Sequence, residues 1–398
     1  MVARLHRKYA ASMAGCAVLL LCLALLCLGC SSAGVVSTTQ PAGVASTAQP
    51  AIVATTPPPT NAAATTLPTA ALSVDDIQVH YTYTTDLITV LYPLYGSKLA
   101  DFVTVSLDNR GALPARVVVK SEIVGYTDPA IDTVDVPAGQ TLDVGQNPLL
   151  IPSVIDDLNT EKPAQVHIHV AALQEGVEKT LLDETAETTV LARRDFPFSM
   201  PGLSQTEVFG FFAAMVTPND PSVETLIRKA ADYTDSGIMT NGYGGHVGDD
   251  NGAVWDRLQA IWQAEKDYDL TYVSTWVSFA PGDVQRIRLP AEVLDQEGGN
   301  CIELALLYAS AAEALDLEAA LILIPGHAFV GVRTDEENAN YYFVETTMIG
   351  QTSFSQAVDK AGSEFDEALP HIDAGEDSYG WVKIWDERKE GILPLPWH

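Results

Sequence analysis

Three residues of this 398-residue chain have the types and the order that nucleophilic chemistry needs: Cys301, His327 and Glu345. A thiol attacks a carbonyl as its thiolate, an imidazole can take the thiol's proton, and a carboxylate can hold the imidazole in one tautomer and orientation. The same three side-chain types can also ligate zinc, so a metal reading stands beside the covalent one. The choice depends on the elements that carry them.

Gly298-Gly299-Asn300 leads straight into Cys301, and residues Cys301 to Leu317 contain Leu, Ala and Glu but no Pro or Gly. Their polar positions Glu303, Ser310 and Glu313 fall on one narrow face, which predicts a central, buried helix. Asn300 is placed to cap it. Cys301 is therefore expected at the positive end of a helix, where free amides favour the anion. The two glycines before it would let a substrate backbone come close. This placement suits a nucleophile better than a zinc ligand. Three strand-like runs follow, Ala319 to Ile324, His327 to Val332 and Tyr341 to Thr346, joined by Pro325-Gly326 and by a charged turn from Thr334 to Asn340. A strand rises about 3.3 Å per residue, so an antiparallel pairing of the last two brings His327 and Glu345 to the same end.

These residues and their surroundings resemble the transglutaminase-like superfamily. The resemblance lies in Gly298-Gly299-Asn300-Cys301 and the Ala/Leu-rich helix, then Pro325-Gly326-His327-Ala328-Phe329, then Val344-Glu345-Thr346-Thr347. It spans roughly residues 200–350 and is densest over 284–347. It implies a papain-like core with Cys301 as nucleophile, His327 as base and Glu345 in the third position, where the family usually has Asp. It also implies an oxyanion donor upstream. Gln285, just before Ile287-Arg288-Leu289-Pro290, resembles the glutamine that some relatives carry there, and Trp276 is the other candidate. Such an enzyme acts on peptide or protein amides through a thioester and needs no cofactor or metal. Water as acceptor makes it a hydrolase, the preferred reading, and an amine makes it a cross-linker. The alternative is a catalytically degenerate cell-surface binding protein built on the same fold.

The N-terminus supplies the compartment. Arg4, Arg7 and Lys8 precede a charge-free apolar stretch that ends in Gly29-Cys30-Ser31-Ser32, the basic, apolar, small-residue order of an export signal. Cys30 after Gly29 resembles a lipoprotein lipobox, although Cys27 stands where Leu is usual. Residues 1–30 are thus read as a lipoprotein-type signal segment with lipid on Cys30, or alternatively as an uncleaved anchor. Either puts the rest outside the cell membrane. Of five cysteines, four lie in or at the end of this segment. Cys301 is the fifth, so the exported domains have no internal disulfide, and a lone thiol in an oxidising compartment is either buried or used.

Residues 31–72 carry no charge and repeat an imperfect nine-residue unit ending at Pro41, Pro50, Pro59 and Pro68. They read as a disordered Ala/Thr/Pro-rich stalk. Residues 73–197 alternate apolar and polar side chains in short runs such as Ile77-Val79-Tyr81-Tyr83 and Val166-Ile168-Val170. This predicts an all-β sandwich of immunoglobulin or fibronectin type. His167 and His169 share its outer face with no third metal ligand suggested nearby, so the face is read as solvated. Residues 198–398 form the α+β transglutaminase-like domain. Helices are expected from Asp220 to Tyr233 and from Ala253 to Lys266. The Gly-rich stretch 238–252, with His246, Asp249 and Asp250, lacks the offsets of a calcium loop. The tail from 351, with Phe354, Trp381, Trp385 and Trp397, is expected to pack on the domain, with a lid over the cleft as the alternative. The whole chain has 52 acidic against 22 basic residues and a net charge of −30. Phosphates would repel it, which excludes nucleic acid as a partner and leaves extracellular peptide, protein or cell-envelope amides as substrates.

Overall fold

The computed structural model describes residues 76–243, 250–274, 279–280, 282–335 and 340–395. The expected signal segment, lipidated Cys30 and stalk lie outside the described residues, as do Trp276, Trp397, and His246 and Asp249 of the Gly-rich stretch. Among the described residues no helix is long and apolar enough to cross a membrane.

The first part is β-rich. Its strands are β1 (Ile77–Tyr83), β2 (Asp86–Leu87), β3 (Val103–Asn109), β4 (Ala115–Ile123), β5 (Ala130–Val136), β6 (Thr141–Gln146), β7 (Lys162–Gln174) and β8 (Val177–Val190), with a short helix α1 (Pro152–Asp156) between β6 and β7. They form a sheet in the order β1-β3-β6 and another in the order β2-β8-β7-β4-β5. The period-two pattern explains the layering. Val103, Val105 and Leu107 of β3 bury against Val117 and Val119 of β4 and Val166, Ile168 and Val170 of β7 in one shared core, while the alternate positions face out. Glu175 and Gly176 both have positive φ and join β7 to β8 in a tight turn.

The second part mixes helices and short strands: β9 (Asp195–Pro197), α2 (Gln205–Gly210), α3 (Phe212–Met215), α4 (Pro221–Ala230), α5 (Asp250–Asp267), β10 (Thr271–Tyr272), β11 (Val284–Arg286), α6 (Pro290–Asp295), β12 (Gly298–Gly299), α7 (Cys301–Glu313), β13 (Ala319–Ile324), β14 (His327–Arg333), β15 (Tyr341–Val344), α8 (Phe354–Asp373), β16 (Gly380–Lys383) and α9 (Ile384–Lys389). The frame of the site is an antiparallel sheet ordered β15-β14-β13-β16. On one face Leu321, Leu323, Ala328, Val330 and Val332 bury with the apolar residues of α7. On the other, Ile322 and Phe329 bury with Ala361 and Phe365 of α8. The same core that holds α7 also takes in Ile88, Val90, Leu91, Leu94 and Leu191 from the β-rich part.

Helix α7 is shorter than the expected run to Leu317. Ala314 caps it and Asp316 takes a positive φ, which turns the chain toward β13. Among the described residues the tail from 351 packs on the domain. Phe354 packs between Trp255 and Trp262, and β16 pairs along β13 with Trp381 opposite Ile322. Gly298 and Gly299 also serve the fold. They pair in parallel with Thr271 and Tyr272, and a Cβ on Gly298 would sit 2.9 Å from the Thr271 carbonyl oxygen.

Candidate active site

The nucleophile position is built from a cap upward. Asn300 Oδ1 accepts the Glu303 N–H at 3.1 Å, and Glu303 Oε2 accepts the Asn300 N–H at 2.9 Å, closing a capping box around Cys301. Glu303 is 2% exposed. Its charge is matched by Arg288, whose Nε and Nη2 reach the two carboxylate oxygens at 3.1 and 2.7 Å and whose backbone N–H adds a bond at 2.9 Å. A buried carboxylate is tolerable when it is doubly bridged in this way. Cys301 itself is fully buried and reduced.

The base comes from the start of β14. Pro325 and Gly326, the latter at φ +73°, form the two-residue turn that opens the strand, with Ile324 opposite His327. Proline presets one corner of this turn, and the other needs a left-handed residue. His327 meets Glu345 Oε2 through Nε2 at 2.6 Å and interacts electrostatically with the Cys301 side chain. With Nε2 engaged, Nδ1 is the nitrogen left for the sulfur. Burial works against the imidazolium, but the interactions with Cys301 and Glu345 outweigh it and push His327 up to about 10. Its ring is the member of the trio with an edge to solvent, at 23% side-chain exposure.

The acid follows β15. Pairing of Val330 with Val344 and of Arg333 with Tyr341 brings Glu345 back beside the start of β14. The expected third strand stops at Val344, because Glu345 caps a short 3-10 turn, Thr346–Met348. Glu345 Oε1 takes the backbone N–H of Thr347 at 3.0 Å and the Thr347 hydroxyl. Burial opposes ionisation of Glu345, yet the bonds to His327 and Thr347 hold its carboxyl below the usual range. The extra methylene of Glu over Asp is thus absorbed: one oxygen is pinned by Thr347 and the other reaches the imidazole.

Gln285 sits in β11, opposite Phe196 of β9. Both polar atoms of its amide are buried without a partner among the described residues, so it bonds neither Cys301 nor His327. The site contains a residue that sequence reasoning missed. His327, Glu345 and Glu364 present ligand-type atoms that all lie within 4.8 Å of one another. Glu364 is on α8, 19 residues beyond Glu345, and no local motif marks it. The alternative zinc set is not the cluster that the fold assembles: Glu364 rather than Cys301 joins the other two. On the β-rich part, the outer face is more acidic than expected. Asp183 Oδ1 stands 2.7 Å from His167 Nε2 and 3.7 Å from His169 Nδ1.

Cys301 at the start of α7, His327 at the start of β14 and Glu345 after β15 thus come together in one place. Residues 287–367, which hold all three groups, match the family model of the transglutaminase-like superfamily. Among solved structures the chain is similar to a FixG-related protein from Vibrio parahaemolyticus, at 12% identity over 30% of this chain and 98% of that one, with a TM-score of 0.18. It is also similar to a candidate cysteine protease from Cytophaga hutchinsonii, at 13% identity over 62% of this chain and 72% of that one, with a TM-score of 0.21. The similarity to the transglutaminase-like superfamily lies in residues 287–367. A search of curated proteins gave no match.

Proposed function

We propose that this chain is a membrane-anchored, extracellular cysteine hydrolase of transglutaminase-like type that cleaves peptide or protein amides. The observation that carries this reading is the His327 imidazole, bonded to Glu345 at 2.6 Å and interacting with the Cys301 side chain at the start of α7. In the proposed cycle Cys301 Sγ bonds to the amide carbonyl carbon and the C–N bond breaks. The His327 imidazolium gives its proton to the leaving amine, leaving a thioester. His327 then takes a proton from water, the resulting hydroxide attacks the thioester, and the acid and the thiol are released. Gln285, with an unengaged side-chain amide, is the proposed donor to the oxyanion. We read the β-rich part as an immunoglobulin- or fibronectin-like sandwich that spaces the enzyme from the membrane, and the lipobox-like Cys30 as the anchor.

The test is the pH dependence of iodoacetamide alkylation, read by mass spectrometry on the Cys301 peptide of the full chain, in wild type and His327→Ala. Rapid reaction well below the ordinary thiol range of ~8.5, slowed by loss of His327, supports an activated pair. A thiol indifferent to His327 overturns the enzyme reading. The complete burial of Cys301 favours the second reading, a degenerate surface-binding protein. That reading predicts no labelling of Cys301 in the folded state.

A further inference from the structure

The packing of α8 carries chemistry that neither the triad nor the family match uses. Side chains alternate along β14, so His327 shares a face with Phe329 and Gly331, and α8 covers that face. The register is fixed by a stack of small and large groups. A Cβ on Gly331 would meet the Phe343 ring at 2.9 Å, so glycine leaves room for that ring, and Phe343 stacks on Phe365 of α8 with centroids 3.9 Å apart. The Glu345 backbone N–H also bonds the Ala357 carbonyl of α8 at 3.3 Å. Ala357 and Glu364 are seven residues apart, hence on the same side of the helix. The helix is thereby docked with Glu364, next to Phe365, at the back of the catalytic acid.

Glu364 Oε1 takes the Lys360 ammonium at 2.6 Å, on the solvent side. Its Oε2 is buried and receives no N–H or O–H among the described residues, and the Glu364 carboxyl lies within 4.8 Å of the Glu345 carboxyl. Two carboxylates in contact cannot both ionise cheaply, and one proton between them removes the repulsion. We propose that Glu364 is a positioning residue of the site: its carboxyl O–H donates a hydrogen bond to the Glu345 carboxylate and so keeps Glu345 Oε2 on His327 Nε2. The charged and titratable groups around it are Glu345 and His327 from the sheet side, Lys360 and Glu367 on α8, and Cys301 beyond the imidazole. The directions agree with a proton lodged on α8. Burial and contact with Glu345 raise the Glu364 carboxyl despite Lys360, whereas Glu345 is held low.

The catalytic meaning of this bond rests on the proposed cysteine chemistry, but its direct readout does not. We would follow the His327 ring by 15N NMR of full-length, histidine-labelled protein, assigning it by its loss in His327→Gln, in wild type, Glu364→Gln and Glu364→Leu. Gln keeps a donor toward Glu345, and Leu removes it. The expected result is a high wild-type midpoint that Glu364→Gln preserves, while Glu364→Leu lowers it by about one pH unit, a tenfold change in proton affinity, as Glu345 swings off the ring. An unmoved midpoint in Glu364→Leu overturns the proposal. So does a fall in Glu364→Gln as large as in Glu364→Leu, which would mean that the ionised carboxylate is what acts. Stoichiometric metal in the purified wild type, lost in Glu364→Gln, also overturns it in favour of a cation on the same three groups. Glu364→Gln is nearly isosteric, so its dichroism spectrum controls for folding. Failure of Cys301 alkylation with the His327 shifts intact sinks the enzyme reading alone.

Discussion

His327 Nε2 and Glu345 Oε2 lie 2.6 Å apart, although 18 residues separate them in the chain. The hairpin returns Glu345 to the start of β14, and Thr347 fixes which of its oxygens meets the ring. A carboxylate held at both ends cannot follow the imidazole if its length changes.

Glu345→Asp is therefore expected to lose the bond to Nε2 even though it restores the residue usual in the family. Cys301 alkylation at neutral pH should slow by about tenfold, the equivalent of one unit in the proton affinity of the imidazole. Glu345→Gln keeps the length but removes the charge that stabilises imidazolium, and should slow it at least as much. Equal rates in wild type and Glu345→Asp would show that Thr347 does not fix the geometry.

Stability should fall at alkaline pH through His327. Its folded value is about 10, against 6.5 for an unperturbed imidazole. A raised folded pKa contributes stability that is complete below the unfolded value and is lost as pH rises through the folded one. Thermal melts of wild type should thus lose stability between about pH 6.5 and about pH 10. His327→Gln should remove that part of the slope, and an unchanged slope would contradict the high folded value.

Arg288 and Glu303 brace the capped end of α7. Arg288→Met leaves Glu303 buried with only backbone donors, and breaking such a pair should cost about 3 kcal/mol in urea unfolding. Adding Glu303→Gln removes the stranded charge and should recover part of that loss. A double variant no better than Arg288→Met would mean that packing of the guanidinium, rather than charge pairing, is what matters.

A different carboxyl opposes the fold. Glu265 on α5 is fully buried, both of its oxygens lack a partner among the described residues, and desolvation pushes it well above the usual carboxylate range. Its burial costs more as pH rises above the ordinary glutamate value of ~4.3, because the unfolded chain can ionise and the folded one cannot. Glu265→Met should stabilise the protein at pH 7 by about 1–3 kcal/mol, the cost of unsatisfied buried polar groups, and by less at pH 4. A loss of stability at pH 7 would mean that the carboxyl has an unrecognised partner.

What the sequence determined by itself is local. The capped helix start at Cys301 followed from Asn300 and an apolar run, the turn before His327 from Pro325-Gly326, and the return of Glu345 from the length of one hairpin. Each depends on residues within about twenty positions, where periodicity and turn chemistry act directly. Tertiary structure decided the rest. Gly298 and Gly299 looked available to a substrate, and strand β10 also pairs with them. The third strand ended early because Glu345 spends one oxygen on capping a turn. Glu364 reached the site only because α8 packs across the sheet through Phe343 and Phe365. No local pattern marks such a residue: on its own helix it is one acid among several, and its role arises from which face of a distant strand the helix covers.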